Sequence, residues 1–239
     1  MNLLVMGASS DIAVEAIGRI SDNYECIVAH YCHMNDKLSG LKEKLKDKLV
    51  LIQADLMVES DVLRLVDEVK AKNILISHIL HFPAPKIQIQ KFNKMKWSDF
   101  EDDINVSLKS LVLVLEAFIP QMVKAKSGKI VVMLSWAVTG MPPKYSSDYV
   151  TVKYALLGLV KALAVEYAEK GITVNGISPG FVETKFVDGM MDFFVEENRK
   201  ASPIGRNLNE MDIVPTIEFL LSAGADCING QNIPVTCGR

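Results

Sequence analysis

Short apolar runs alternate with longer amphipathic patterns from one end of this chain to the other, and this alternation limits the fold more than any other feature. The runs NLLVM, YECIVAHY, KLVLIQ, NILISHILHF, GKIVVMLS, GITVNGIS and QNIPV have the length and character of strands. Helical spacing falls between them at residues 11–21, 35–47, 59–72, 98–126, 148–170 and 209–223. Strands this apolar, separated by helices, require a parallel sheet covered on both faces. The expectation is an α/β fold, a single Rossmann-type doubly wound domain over 1–239 with about seven parallel strands and ligands at their carboxyl ends.

Composition narrows the class. A chain of 239 residues buries a substantial core, and a formal charge of -3 gives no reason to expect nucleic acid or an anionic membrane as partner. Four cysteines without C-x-x-C spacing read as reduced thiols of a cytoplasmic protein. Cys26, His30 and Cys32 share one strand face, but no fourth ligand accompanies them, so no metal is expected. The apolar stretch INVSLKSLVLVLEAFIPQMV is interrupted by Lys109, Glu116 and Pro120, which fits a core helix better than a membrane span.

Chemistry concentrates in SSDYVTVKYALLGLVKALAVEYAEKG. Tyr149 and Lys153 stand four apart, on one face of a helix. A nearby ammonium favours a phenolate, so the pair is expected to draw the tyrosine pKa down toward the range of general acid/base work. Upstream, GKIVVMLS brings Ser135 to the carboxyl end of its strand, where an open α/β sheet places its active site.

With these residues in order, the chain resembles a short-chain dehydrogenase/reductase over essentially its whole length. The resemblance is carried by MGASSDIA after the first strand, Asp55 in QADL and Asn105 in DINVSLKS. It continues through Ser135, Tyr149 and Lys153 in YVTVK, Asn175 to Gly180 in NGISPG, and the ending NGQNIPVTCG. Its general shape is similar to the 3-oxoacyl-carrier-protein reductases.

The resemblance implies roles. Tyr149 would exchange a proton with a carbonyl or alcohol oxygen, Ser135 would hydrogen-bond that oxygen, Lys153 would hold the nicotinamide ribose, and Asn105 would support a water relay. Cofactor binding would fall to Gly7, Ser9, Ser10, Asp11, Ile12, His33, Asp55, Leu56, Ala84, Pro179, Gly180, Val182 and Thr184, with Tyr149 and Lys153. The implied reaction interconverts a carbonyl and a secondary alcohol with NAD(P)(H). The resemblance likewise implies a small-molecule substrate, a carrier- or CoA-linked one included, and a homodimer or homotetramer built on helices 98–126 and 148–170. Two other readings stand beside it: an inactive binding or regulatory protein that keeps the fold, and an epimerase or dehydratase using the same cofactor.

Three departures from the family pattern carry information. The G-x-x-x-G-x-G loop reads Gly7, Asp11, Ala13, which sets a carboxylate near an expected pyrophosphate. An acidic group at a helix N-terminus is nonetheless favourable, and Ser9 and Ser10 offer hydrogen bonds. The usual N-N-A-G reads Phe82, Pro83, Ala84, Pro85. At the end of the second strand stand Tyr31, Cys32 and His33 with no acid, which favours NADP(H) over NAD(H).

A substrate lid is expected near 181–206, where Met190, Met191, Phe193 and Phe194 are candidates for an apolar pocket. Lys126 and Lys170 match the places where carrier-dependent relatives hold basic residues beside the active-site mouth. Lys86, Lys91, Lys94 and Lys96 permit an anionic substrate, or form a solvated loop.

Overall fold

The computed structural model describes residues 1–187 and 192–238. In chain order these form β1 (Asn2–Met6), α1 (Asp11–Ile20), β2 (Cys26–Tyr31), α2 (Asp36–Leu45), β3 (Leu49–Gln53) and α3 (Glu59–Ala71). β4 (His78–His81), α4 (Trp97–Asp103), a π-helical segment (Ile104–Lys109), α5 (Ser110–Ala125) and β5 (Gly128–Met133) follow. The chain closes with α6 (Ser147–Tyr167), β6 (Ile172–Pro179), α7 (Asp192–Ala201), α8 (Glu210–Leu221) and β7 (Asn232–Val235).

The strands pair in the order β3-β2-β1-β4-β5-β6-β7, and every pairing is parallel. The doubly wound sheet expected from the alternation is therefore present. Strand order reverses between β1 and β4, and a crevice opens there at the carboxyl ends. The sheet has two apolar faces because each strand buries side chains both ways. Leu4, Met6 and Ile79 join α3, α5 and α6 in one core layer, whereas Leu3, Val5 and Leu80 join α1 and α8 in the other.

The expected helix at 98–126 is continuous in the chain but not uniform. Between α4 and α5 the Ser110 N–H bonds the Asn105 carbonyl five residues back, giving a π turn. The stretch Trp97–Ala125 is long and apolar enough to cross a membrane by composition alone. Leu111, Val114, Leu115, Phe118 and Met122 are instead buried in the layer shared with α3 and α6, so this is a core helix.

Candidate active site

The site is built from the carboxyl ends of β1, β4, β5 and β6. After β1 the chain turns at Gly7, whose φ of +76° suits glycine, and a Cβ there would lie 3.3 Å from Pro83. Pro83 of the Phe82-Pro83-Ala84-Pro85 turn thus packs directly on the glycine. His30 of β2 holds the turn from below. Its Nδ1 accepts the Gly7 N–H at 3.1 Å and its Nε2 lies 3.1 Å from the Ala54 carbonyl, so the proton sits on Nε2. Burial lowers the His30 pKa and keeps this neutral tautomer.

Asp11, the first residue of α1, does not leave a bare carboxylate in the loop after β1. Oδ1 accepts from Lys37 Nζ at 2.6 Å and Oδ2 accepts the Lys185 backbone N–H at 2.8 Å. Burial alone would raise its pKa, but the bonds from Lys37 and Lys185 and the Lys37 charge outweigh burial and hold it below the usual carboxylate range. Asp11 is therefore ionised and neutralised in place.

β5 delivers Ser135, whose Oγ accepts the Ala137 N–H at 3.2 Å. α6 presents Tyr149 and Lys153 on the same face, as their spacing requires. Lys153 Nζ donates to the Met133 carbonyl at 2.8 Å and stands 5.5 Å from the centre of the Tyr149 ring. The expected drop in the tyrosine pKa is corrected by the structure. Burial pushes Tyr149 up to about 12, aided by the Asp103 charge and opposed by its hydrogen bond with Ser135. Lys153 feels the same desolvation, which lowers it to about 8 against the pull of Asp103. The resting pair is a protonated phenol beside a desolvated ammonium.

One cavity of about 720 Å³ joins these parts. Gly7, Ser9, Ser10, Asp11, Ile12, Ala84, Ser135, Tyr149, Lys153, Pro179, Gly180, Val182 and Thr184 all line it. Four expected residues do not. Asn105, within the π-helical segment, is half-buried and does not line the cavity. Two residues on, the Ser107 carbonyl instead lies 2.8 Å from Nε2 of His81. His33 lies beside Cys32, with Nε2 3.7 Å from Sγ. Asp55 accepts the Met57 N–H at 2.9 Å, a turn-forming bond before α3, and Leu56 is buried in the core.

The outer part of the cavity is apolar, and most of its wall comes from residues without a sequence signal. Ile87, Ile89, Trp136, Phe186, Val187 and Phe194 line it, with Lys86, Lys144 and Lys185 among them. Of the four apolar candidates at 190–194, Phe194 lines the cavity, Phe193 is exposed, and Met190 and Met191 lie outside the described residues. Phe186 faces Tyr149 with ring centres 6.5 Å apart. Lys126 and Lys170 precede β5 and β6, at the amino ends of the strands. They do not flank the cavity mouth of this chain, which corrects the expectation that they stand beside the active-site mouth.

Known proteins resemble this chain over nearly its whole length. A protein-family model described as enoyl-(acyl carrier protein) reductase matches residues 7–239. The 3-oxoacyl-[acyl-carrier-protein] reductase of Staphylococcus aureus is 29% identical over 242 residues, covering 98% of this chain and 96% of that protein. Among solved structures, ElxO with NADP bound superposes with a TM-score of 0.87 at 21% identity, covering 99% of this chain and 97% of that one. The 3-oxoacyl-[acyl-carrier protein] reductase of Brucella melitensis gives 0.85 at 24% identity, covering 99% and 90%.

Proposed function

Because the chain belongs to the short-chain dehydrogenase/reductase family and is an NAD(P)-dependent oxidoreductase, we propose that its cavity reduces a ketone to a secondary alcohol with NADPH as the favoured cofactor. The observation that carries this reading is the meeting of Ser135, Tyr149 and Lys153 in one cavity that runs back to the Gly7 turn.

The residues present fit a dinucleotide. The Gly7 turn keeps side-chain bulk out of the crevice, α1 points its N-terminus at the cavity, and Lys37 neutralises the carboxylate that would repel a pyrophosphate. Lys153 spends one of its three donors on Met133, leaving capacity for ribose hydroxyls. The bound nicotinamide supplies the hydride. Tyr149 Oη holds the proton that a developing alkoxide needs, and its raised pKa keeps that proton in place until charge appears. Ser135 Oγ stabilises the same oxygen. The apolar outer wall excludes water and suits an acyl or ring substituent, with lysines at its edge for an anionic group.

The preference for NADPH rests on the absence of an acid at Tyr31, Cys32 and His33. A carrier- or CoA-linked 3-oxoacyl thioester is the first substrate to try, in a cytoplasmic homodimer or homotetramer built on α5 and α6, where Val112, Tyr154 and Val165 are exposed. Two measurements test the reading. NADPH and NADH are titrated against the purified protein. A panel of ketones and 3-oxoacyl thioesters, with a 2-enoyl thioester as comparison arm, is then followed by NADPH consumption. Tyr149→Phe should lose turnover while keeping NADPH affinity. Unchanged turnover in that variant, or no binding of either nucleotide at millimolar concentration, overturns the assignment.

A further inference from the structure

We propose that Asp11 is a positioning residue that fastens the base of the substrate lid to the nucleotide loop and so sets Phe186 over Tyr149. The inference rests on reading the cavity as a nucleotide and substrate site. Its geometry is independent of that reading.

The Asp11 side chain is 3% exposed, and both oxygens are engaged. A buried carboxylate persists only when it is paired and hydrogen-bonded, so whatever it holds is held firmly. One oxygen takes Lys37 Nζ, which also approaches Glu210 at the start of α8 to 3.7 Å. The other takes the backbone N–H of Lys185, 174 residues away in sequence. Backbone bonds from Glu183 N–H to Leu208 and from Leu208 N–H to Phe181 tie the lid's first residues to the segment before α8. Asp11 ties the next residues to α1. Phe186 follows the anchored amide directly and faces the Tyr149 ring. A glycine at position 11 has no side chain with which to make this bond.

The consequence is mechanical. Fixing the Lys185 amide fixes where the aromatic roof sits relative to Tyr149, and hence the room left for a substrate. Asp11 acts through Phe186 and touches none of the reacting atoms itself.

Hydrogen exchange of residues 181–187 on the ligand-free protein tests this directly. In Asp11→Ala the Lys185 amide should exchange at least about tenfold faster, while β1, β5 and β6 keep wild-type protection. With a turned-over ketone, KM should rise about tenfold and kcat should change less, whereas mere destabilisation of α1 would lower Tm and leave both KM and Lys185 exchange alone. Should Asp11→Ala fail to fold, Asp11→Asn keeps the volume but loses the charge, and a several-fold rise in Lys185 exchange is expected. Wild-type exchange at Lys185 in a folded Asp11 variant overturns the proposal. Because exchange needs no cofactor, failure of the wild type to bind NADPH would be read separately, as failure of the enzymatic assignment.

Discussion

Lys153 Nζ is suspended between two groups it serves at once, the Met133 carbonyl at 2.8 Å and the Tyr149 ring, whose centre lies 5.5 Å away. The first contact joins α6 to the end of β5, so the helix carrying Tyr149 and the strand delivering Ser135 are registered through one ammonium. Replacing Lys153 with Met keeps the buried stem and removes the donors. NADPH affinity should weaken and kcat should fall by about 10²-fold or more. Stopped-flow hydride transfer with fluorescence titration checks both, and wild-type affinity for NADPH in this variant would remove Lys153 from the cofactor site.

Asp103, at the end of α4, is a buried carboxyl beside the charges of Asp148 and Asp102, with Lys153 the compensating cation. Burial first, and the Asp148 charge second, raise its pKa from 3.8 to about 7. The folded state then binds more protons than the unfolded one between those values, so stability from this group is full below about pH 4 and is lost as pH rises to about 7. Asp103→Asn should melt higher than wild type at pH 8, with the gap closing toward pH 4. At about 1.4 kcal/mol per pKa unit the gap is bounded by about 4 kcal/mol. The variant also removes the charge that supports the Lys153 ammonium, so the alkaline limb of the rate profile should move to lower pH. Melting curves at several pH values decide the first point; a constant gap across them would contradict it.

These two residues also show what sequence can and cannot give. Tyr149 and Lys153 were legible because helical periodicity alone puts i and i+4 on one face. The sheet was legible for the same reason, since buried parallel strands leave uninterrupted apolar runs. Asn105 lies in a π turn off the cavity wall, and no residue in DINVSLKS announces such a turn. The Tyr149 pKa went the other way because burial is a tertiary quantity that a Y-x-x-x-K spacing does not contain. The Asp11 carboxylate was unreadable because its partners are 26 and 174 residues distant. His30 gave no signal either, since an apolar strand with one histidine does not say that the ring will cap a glycine turn.

Cofactor choice is open to a single substitution. Asn35 Nδ2 donates to the Ser9 carbonyl at 2.8 Å, so the connection after β2 is fixed against the loop after β1, and in the proposed binding mode an acid at Cys32 would meet the adenosine ribose. Cys32→Asp should therefore favour NADH, through hydrogen bonds to the ribose hydroxyls and repulsion of a 2′-phosphate. A shift of about tenfold or more in the ratio of dissociation constants, near 1.4 kcal/mol, is expected. Calorimetric titration with both nucleotides reads it directly. An unchanged ratio would place the 2′-phosphate away from Cys32.

Gly7 and Gly171 both have positive φ, yet they lie at opposite ends of the sheet and should fail differently. Gly171 precedes β6 with φ +73°, and a Cβ there would lie 2.2 Å from the Lys126 carbonyl oxygen, a backbone atom that cannot step aside cheaply. Gly171 also accepts the Gly128 N–H at 3.2 Å, so any shift spreads into the β5–β6 pairing. Gly171→Ala should cost about 1–3 kcal/mol and lower Tm by several degrees. Because Ser135 and Tyr149 are at the carboxyl end, the folded fraction should keep wild-type kcat and KM at low temperature. Gly7→Ala meets Pro83 at 3.3 Å, a contact a small shift can relieve, but that shift lies in the nucleotide loop itself. Its expected signature is the reverse, a weakened NADPH affinity with a smaller loss of Tm. Thermal melts paired with NADPH titrations of the two variants separate a glycine that serves the scaffold from one that serves the site; matching losses of Tm and affinity in both would show that the two ends of the sheet are not independent.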